Sequence, residues 1–442
     1  MTAADPSSDV RPAPALPRRV LAGYSLGSLV TGSFGTVPGL LLLPYLTDTL
    51  GIAAGVAGLV VLLPKAWDVL VNPVAGRISD RRGDRRPFLI VAGLALGLLF
   101  AALLAGPFRS GAPAGAYVAI AFLAAATAYA FFQVPYVAMP AELTDGYDER
   151  TRLMTWRVAV LALAILISGA LAPLVVDQTG GGITGHRWAG IFIGALIIVG
   201  TLGVYFGTRR AESHSAAEPE ADLRTQLRIA IANRPFRALL LCWIVQAVGV
   251  GTMLAGVQYF ADHVVGHSSA ATFLFAAFVG PALLVMPLWS WVGRRFGKRR
   301  SLIAGSLLFG GAGLVMVAAP ALPGVVIYLI AAVVGAGYAG QQVFAMAMLP
   351  DCIARDTERT GRRQAGVFTG LWTAGETFGL ALGPGLYALI LQIFGYVSSS
   401  TGVAAAQDDT ARLGVLLGFT LVPAVLVGAA VLLLGAYREI DR

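Results

Sequence analysis

The sequence predicts an all-α membrane protein with twelve transmembrane helices, arranged as two six-helix bundles. Three observations lead to this prediction. Of the 442 residues, 57% are hydrophobic and only 13% are charged, whereas soluble domains carry roughly 25% charged residues. The apolar residues form runs of the length that crosses a bilayer, about 20 residues per helix. The two halves of the chain also repeat each other. This composition excludes soluble globular, disordered and disulfide-stabilised proteins.

Twelve apolar segments follow one another along the chain, and each has the length of one transmembrane helix. The segments are far longer than the alternating ten-residue strands of transmembrane barrels. Those of the first half are 20–46, 52–78, 87–106, 115–143, 153–176 and 189–207. Those of the second half are 235–262, 269–293, 301–320, 322–350, 364–396 and 412–436.

The basic residues lie on one side of the predicted membrane. With both termini inside, the inner segments hold 27 of the 32 Lys and Arg residues, and the outer loops hold only Arg109, Arg187 and Arg412. The positive-inside rule therefore predicts cytoplasmic termini and a multi-pass protein of the plasma or inner membrane. The same distribution accounts for the net charge of +8 without a nucleic-acid partner.

A charged segment divides the chain into two similar halves. Pro73 and Pro287 are separated by 214 residues, and so are Gly83 and Gly297. A parallel repeat of this kind is typical of transporters with a substrate site between two halves. We expect a tail at 1–19, a first bundle at 20–208, a cytoplasmic loop at 209–234, a second bundle at 235–436 and a tail at 437–442.

The loop after the second segment combines glycine, acidic and basic residues. Gly83 permits a tight turn, and Asp80 can bond to helix ends or to arginines of the other half. Breaking such ion pairs would gate a protein whose halves rock against each other. The alternative is membrane topology alone, since basic residues are expected in any inner loop. The candidate gating residues are Gly76, Asp80, Arg81, Gly83, Arg85 and Arg86.

Charged residues inside the spans are costly, and each marks a candidate functional position. Lys65 and Asp68 are three residues apart on one helical face, Arg157 lies in the fifth segment, and Glu376 lies deep in the eleventh. Asp68 and Glu376 are the candidate residues for binding the coupling ion, and Lys65 and Arg157 are candidates for binding the substrate. The structural alternatives are a packing pair of Lys65 with Asp68, and an Arg157 that reaches the membrane surface.

Four uncharged residues complete the candidate substrate site, and they are Ser28, Gln133, Tyr136 and Trp372. Trp372 lies one turn before Glu376, where its ring could stack on a sugar, although helix packing would also explain it. The sequence shows no nucleotide-binding loop, metal-ligand spacing or catalytic triad. We therefore expect no enzymatic activity, no metal and no cofactor.

Five motifs are shared with a known family. They are Tyr45-Leu46-Thr47-Asp48-Thr49-Leu50-Gly51, Trp67-Asp68 with Asn72-Pro73, Val134-Pro135-Tyr136, Asp148-Glu149-Arg150-Thr151-Arg152 and Trp372-Thr373-Ala374-Gly375-Glu376. In these the chain resembles the glycoside–pentoside–hexuronide:cation symporters, the melibiose-permease family, along its whole length. The resemblance implies the twelve-helix major facilitator fold. It also implies import of sugars or related solutes together with Na⁺, Li⁺ or H⁺.

The sequence departs from that family's pattern of charges. Where the resemblance places acidic residues in spans 1, 2 and 4, the chain has Ser28, Asn72 and Gln133, and Thr377 replaces the lysine of span 11. Asp68 alone remains of these carboxylates. A lone carboxylate can carry a proton but is a poor Na⁺ site, so we predict H⁺ symport of a sugar-like solute.

Two other functions stay open on the sequence. The lost carboxylates would suit an uncoupled facilitator or an exporter of an amphipathic compound. A membrane sensor or scaffold without transport is the alternative from another class. As partners we expect a small-molecule substrate, a coupling cation and the lipid bilayer, and we expect the protein to be a monomer.

Overall fold

The structure is a computed structural model, and it describes residues 16–82, 85–144, 147–211, 228, 232–360, 365–399 and 405–437. Gly83 lies outside the described residues, as do the side chains of Lys65, Asp80 and Arg81. All regular elements in the described part of the chain are helices, as predicted.

The first half consists of long helices that follow the predicted segments closely. They are α1 (Arg18–Val37), α2 (Ala54–Arg82), α3 (Arg86–Leu104), α4 (Gly111–Leu143), α5 (Tyr147–Gln178) and α6 (Gly182–Thr208). Two π-helical turns, Pro38–Leu42 and Tyr45–Thr49, prolong α1. Each turn follows or begins at a proline, and a proline supplies no N–H to the regular helical ladder.

In the second half two predicted segments are each divided into two helices. The helices are α7 (Arg234–Phe260), α8 (Ala270–Leu284), α9 (Met286–Phe296), α10 (Lys298–Val315), α11 (Gly324–Thr360), α12 (Ala365–Ile393), α13 (Asp409–Phe419) and α14 (Leu421–Leu433). The predicted span 269–293 is bent by 45° between α8 and α9. Pro281 and Pro287 flank the bend, and prolines are a common cause of such kinks.

Length and apolarity identify ten or eleven of the twelve predicted spans within the described part of the chain. The described part of the chain has ten helices that are long and apolar enough to cross a membrane, or eleven if α8 and α9 form one span. The helix α2 has 29 residues, and its described apolar stretch, Ala54–Pro64, ends where the side chains of the next two residues lie outside the described part of the chain. Twelve spans therefore stay a prediction.

The helices pack in the same pattern in both halves. In the first half α1 packs on α5 and α6, α3 packs on α4 and α6, and α2 packs on α4. In the second half α7 packs on α12 and α14, α10 packs on α11 and α14, and α8 packs on α11. Glycines permit the closest approaches: Gly23 of α1 faces Gly207 of α6, and Gly251 of α7 faces Gly383 of α12, with no room for a Cβ.

The two halves meet through α2 with α12 and through α5 with α8. The tight contacts lie at the end of the molecule where α1 ends and α2 begins, and we call this the closed end. There a Cβ on Gly58 would lie 2.6 Å from the Ala388 Cβ, and Gly385 lies against Leu62. The opposite end, where α2 ends and α3 begins, carries most of the arginines and is called the basic end.

Candidate functional site

Three of the predicted site residues of the first half, Ser28, Tyr136 and Arg157, form one hydrogen-bonded cluster. The Ser28 Oγ of α1 lies 3.1 Å from the Tyr136 hydroxyl of α4 and donates to the Arg157 carbonyl of α5 at 3.1 Å. The Tyr136 hydroxyl also donates to the Tyr24 carbonyl at 2.9 Å. Ser28 and Tyr136 are fully buried. Their hydroxyl groups are therefore bonded within the protein and hold three helices together.

Arg157 is the member of this cluster that can reach a ligand. Its guanidinium lies 5.3 Å from the centre of the Tyr136 ring, within the range of a cation–π contact. It is half-buried, and among the described residues its Nε has no hydrogen-bond partner. A buried guanidinium N–H without a partner is costly, and an acceptor on a substrate would relieve that cost.

Asp68 lies next to this cluster. Its side chain is 6% exposed on α2, and both Asp68 and Arg157 interact electrostatically with the Tyr129 hydroxyl of α4. Gln133 is half-buried on α4, four residues after Tyr129 and therefore on the same face. The first half thus brings an acid and a base close to one tyrosine, at the position where the sequence predicts substrate and ion binding.

Glu376 belongs to a second cluster, in the other half. It lines a narrow pocket between α7, α11 and α12, which in this structure has room for about one water molecule. The Gln342 side chain bonds to Glu376 and donates from Nε2 to the Tyr338 hydroxyl at 2.7 Å. Trp243 lines the pocket, and Trp372 stacks on it with ring centres 4.9 Å apart and planes at 17°. The predicted aromatic plane near Glu376 is therefore a stacked pair.

Four polar atoms around this pocket are buried without a hydrogen-bond partner among the described residues. They are the indole nitrogens of Trp243 and Trp372, the Gln246 Oε1 and the Gln341 Nε2. All four side chains are 3% exposed or less. Buried polar atoms are nearly always paired in folded proteins, so a concentration of unpaired ones indicates a ligand with hydrogen-bonding groups. The four atoms are three donors and one acceptor; Trp243, Gln246 and Gln341 line the pocket, and Trp372 stacks on Trp243.

The two clusters lie at a similar depth on facing helices. Leu62 of α2 contacts Gly385 of α12, and the helices run antiparallel. Glu376 comes nine residues before Gly385, and Val71 comes nine residues after Leu62. Continuing the pairing places Glu376 level with Val71, about 4.5 Å along the helix axis from Asp68. One acid in each half thus lies near the same level.

The described residues of the predicted gating loop contact their own half. Arg86 Nη1 donates to the Arg209 carbonyl at 3.4 Å, and its Nη2 donates to the Ala211 carbonyl, so α3 is tied to the end of α6. Arg85 precedes α3 and its carbonyl accepts the Leu89 N–H at 3.3 Å. The turn glycine of the second half, Gly297, has a φ of 83°, which favours glycine.

Comparison with known proteins identifies the family. A family model described as MFS/sugar transport protein matches residues 23–441. The chain belongs to this family. It is a transporter of the major facilitator superfamily and not an enzyme, which confirms the resemblance seen in the motifs.

Three similar proteins illustrate the relationship. The isoprimeverose transporter of Lactiplantibacillus pentosus is 23% identical and aligns over 94% of this chain and 87% of its own. The glucuronide carrier protein homolog of Escherichia coli (strain K12) is 24% identical and aligns over 96% of this chain and 93% of its own. A crystal structure of a bacterial homologue of the human lysosomal transporter Spinster is 14% identical and has a TM-score of 0.68, covering 95% of each chain. The last likeness shows the major facilitator fold.

Proposed function

We propose that the protein is a symporter that imports a sugar-like solute together with H⁺ by alternating access. The observation that carries the substrate class is the set of unpaired buried polar atoms around the Glu376 pocket. A polyhydroxylated solute supplies both donors and acceptors to these atoms, and the stacked Trp243 and Trp372 offer an apolar surface beside them. The carbohydrate names of two relatives support the same class.

The proton is the coupling ion that the two acids support best. Asp68 and Glu376 lie in different halves, near one level, and each can bind a proton by itself. A Na⁺ site would need several oxygen ligands, and the neutral Ser28, Asn72 and Gln133 add no negative charge. Since each acid faces another environment when the halves move, its proton affinity differs between the two states. Such a difference is the requirement for coupling.

Alternating access and orientation complete the proposal. The basic end faces the cytoplasm by the positive-inside rule, so the closed end faces outward. A monomer in the plasma or inner membrane is the form we propose. Asp80 and the neighbouring loop residues would regulate opening at the basic end, and Arg157 would hold substrate on the side of the first half.

Uptake into proteoliposomes tests the coupling. Sugars that raise the thermal stability of the purified protein, chosen from neutral disaccharides, methyl glycosides and uronides, serve as substrates. We expect acid outside to drive accumulation and a Na⁺ gradient to have no effect. Asp68→Asn should abolish accumulation and leave exchange of substrate partly intact, because exchange needs no net proton movement. Asp409→Asn, an exposed acid at the start of α13, is the matched control.

The outcomes separate the hypotheses. If Asp68→Asn still accumulates substrate in response to a pH gradient, whereas Glu376→Gln does not, the coupling role passes to Glu376. If the unmodified protein equilibrates its substrate and ignores both gradients, it is an uncoupled facilitator and proton symport is wrong.

A further inference from the structure

A buried carboxyl group joins the two halves at the closed end. Asp48 lies in the π-helical turn beyond the span Arg18–Leu42 and is 8% exposed. Tyr396 lies just after α12 in the other half, and its hydroxyl donates to the Asp48 Oδ1 at 2.8 Å. The His263 Nε2 lies 3.0 Å from the same hydroxyl. One acid of the first half is therefore held by a tyrosine and a histidine of the second.

Further hydrogen bonds surround this contact. The Thr47 Oγ1 lies 2.6 Å from the Tyr259 hydroxyl, and the Ser399 N–H donates to the Thr47 carbonyl at 2.9 Å. These bonds and the Asp48–Tyr396 bond all cross between the halves, and we call them together the seam. Opening the closed end requires the seam to separate, since its members belong to halves that would move apart.

The surroundings of Asp48 are polar but supply no neutralising charge. Among the described ion pairs none involves Asp48, and the charge that acts on it is the like charge of Asp262. The titratable and charged groups of the other half around the seam are Tyr259, Asp262, His263, Tyr387, Tyr396 and Arg412. In the first half, the titratable and charged groups near the seam are Tyr45 in the π-helical turn and His186 and Arg187 in α6. Arg187 donates to the Gly106 carbonyl.

Burial penalises the ionised form of Asp48 in the closed seam. Burial is the main cause that raises the pKa of the Asp48 carboxyl to about 7; the carboxylate of Asp262 adds to the rise, and the hydrogen bonds from Tyr396 and Thr47 oppose it. When the seam opens and water enters, burial and the contact with the other half are lost. The pKa of Asp48 then returns towards its ordinary value, which is near 4.

We propose that Asp48 is a second proton-binding site, separate from Asp68 and Glu376, which holds the closed end shut when it is protonated. Its role is regulatory and not coupling, because Asp48 belongs to the seam that shuts the closed end and lies outside the clusters around Asp68 and Glu376. A low pH at the outer surface would therefore favour the state in which the closed end is shut. This adds a pH-dependent gate to the proposed function.

The sign of the effect follows from linkage. The carboxyl binds its proton more tightly in the closed state, so protonation stabilises that state below about pH 7, and the stabilisation is lost as the pH rises through that value. Between pH 8.5 and 5.5 the ratio of closed to open protein should rise by about thirtyfold, because pH 5.5 lies about 1.5 units below the pKa of the closed state and above that of the open state.

Cysteine labelling tests this proposal in full-length protein in nanodiscs, where both ends meet the same buffer and no substrate is needed. Cys242 and Cys352 are replaced by Ala, and Ala388→Cys reports opening because Ala388 is buried against Gly58 of the other half. Its rate of reaction with a maleimide is divided by that of Val397→Cys, which is 55% exposed. The normalised rate should fall by up to about thirtyfold from pH 8.5 to 5.5, and by the full factor when the closed state predominates at both pH values.

Three substitutions separate the role of Asp48 from that of its neighbours. Asp48→Asn keeps an acceptor for Tyr396 and cannot ionise, so labelling should stay slow at every pH. Asp262→Asn, a neighbouring acid that makes no described bond across the halves, should retain the pH dependence. Asp48→Glu restores a titratable group and should restore the dependence. The proposal is wrong if the labelling rate of monodisperse Asp48→Asn falls as much between pH 8.5 and 5.5 as that of the protein with Asp48. It is also wrong if the labelling rate of the protein with Asp48 does not change with pH. Both outcomes are independent of the uptake experiments.

Discussion

The Gln341 side chain has a buried Nε2 without an acceptor among the described residues. An unpaired buried donor costs about 1–3 kcal/mol. Gln341→Met keeps the length of the side chain and removes that donor, so the protein should be equally stable or more stable by about 1 kcal/mol. Binding of the sugar should weaken by roughly 3–10-fold if the donor serves the substrate. Thermal unfolding in detergent and the KM of uptake measure the two effects.

Gln407 provides the matched control for this residue. It is also buried, but its amide accepts from the Val397 N–H at 2.8 Å and donates to the Val397 carbonyl at 2.8 Å. Gln407→Met should therefore destabilise the protein by about 1–3 kcal/mol and leave KM unchanged. A loss of stability in Gln341→Met equal to that in Gln407→Met would mean that both amides are structural.

At the scale of residues, charge was the signal that the sequence could supply. Asp68, Arg157 and Glu376 stand out because a charge in an apolar segment is rare and costly. Trp243 could not be selected in this way, since a tryptophan in a span is ordinary packing material until its partner is known. The pairing of Asp48 with Tyr396 was equally hidden, because 348 residues separate them.

At the scale of elements, the contact between α2 and α12 should open and close during transport. Gly58 and Ala388 meet there so closely that a Cβ on Gly58 would lie 2.6 Å from the Ala388 Cβ. A disulfide joins Cβ atoms about 3.5–4.5 Å apart, so a small adjustment would allow Gly58→Cys and Ala388→Cys to bond. Oxidation should stop uptake almost completely, and reduction should restore it.

The two single variants are the controls for this cross-link. Each should retain uptake in the presence of the oxidant, because neither can form the bond alone. Full uptake by the oxidised double variant, with the cross-link verified by mass spectrometry, would show that α2 and α12 need not separate at the closed end.

The positions of the helices were largely predictable because an apolar run of about 20 residues has few alternatives in a membrane. The bend between α8 and α9 was not predicted, although Pro281 and Pro287 lie in the sequence. A proline is tolerated inside many continuous helices, as Pro173 in α5 shows. The size of a bend depends on packing against neighbours, which the sequence of one segment does not contain.

At the scale of the whole molecule, the repeat in the sequence reappears as a repeat in helix packing. Each pairing of the first half has its counterpart in the second. The functional chemistry does not repeat. The first half supplies an acid and an arginine near Tyr129, and the second supplies amides, indoles and one acid. The substrate would therefore meet two different surfaces, and the halves can hold it differently in each state.

The orientation of the molecule decides which medium controls the closed end. Because the predicted inner segments of the sequence hold 27 of the 32 basic residues, we expect the basic end in the cytoplasm. Val397→Cys lies exposed at the closed end and should react with a membrane-impermeant maleimide in intact cells. Ser215→Cys, in the charged segment 209–234, should react only after permeabilisation. Cys242 and Cys352 are 1% and 2% exposed, so the native background should be low. Labelling of Ser215→Cys in intact cells would reverse the orientation, and acid in the cytoplasm would then act on Asp48.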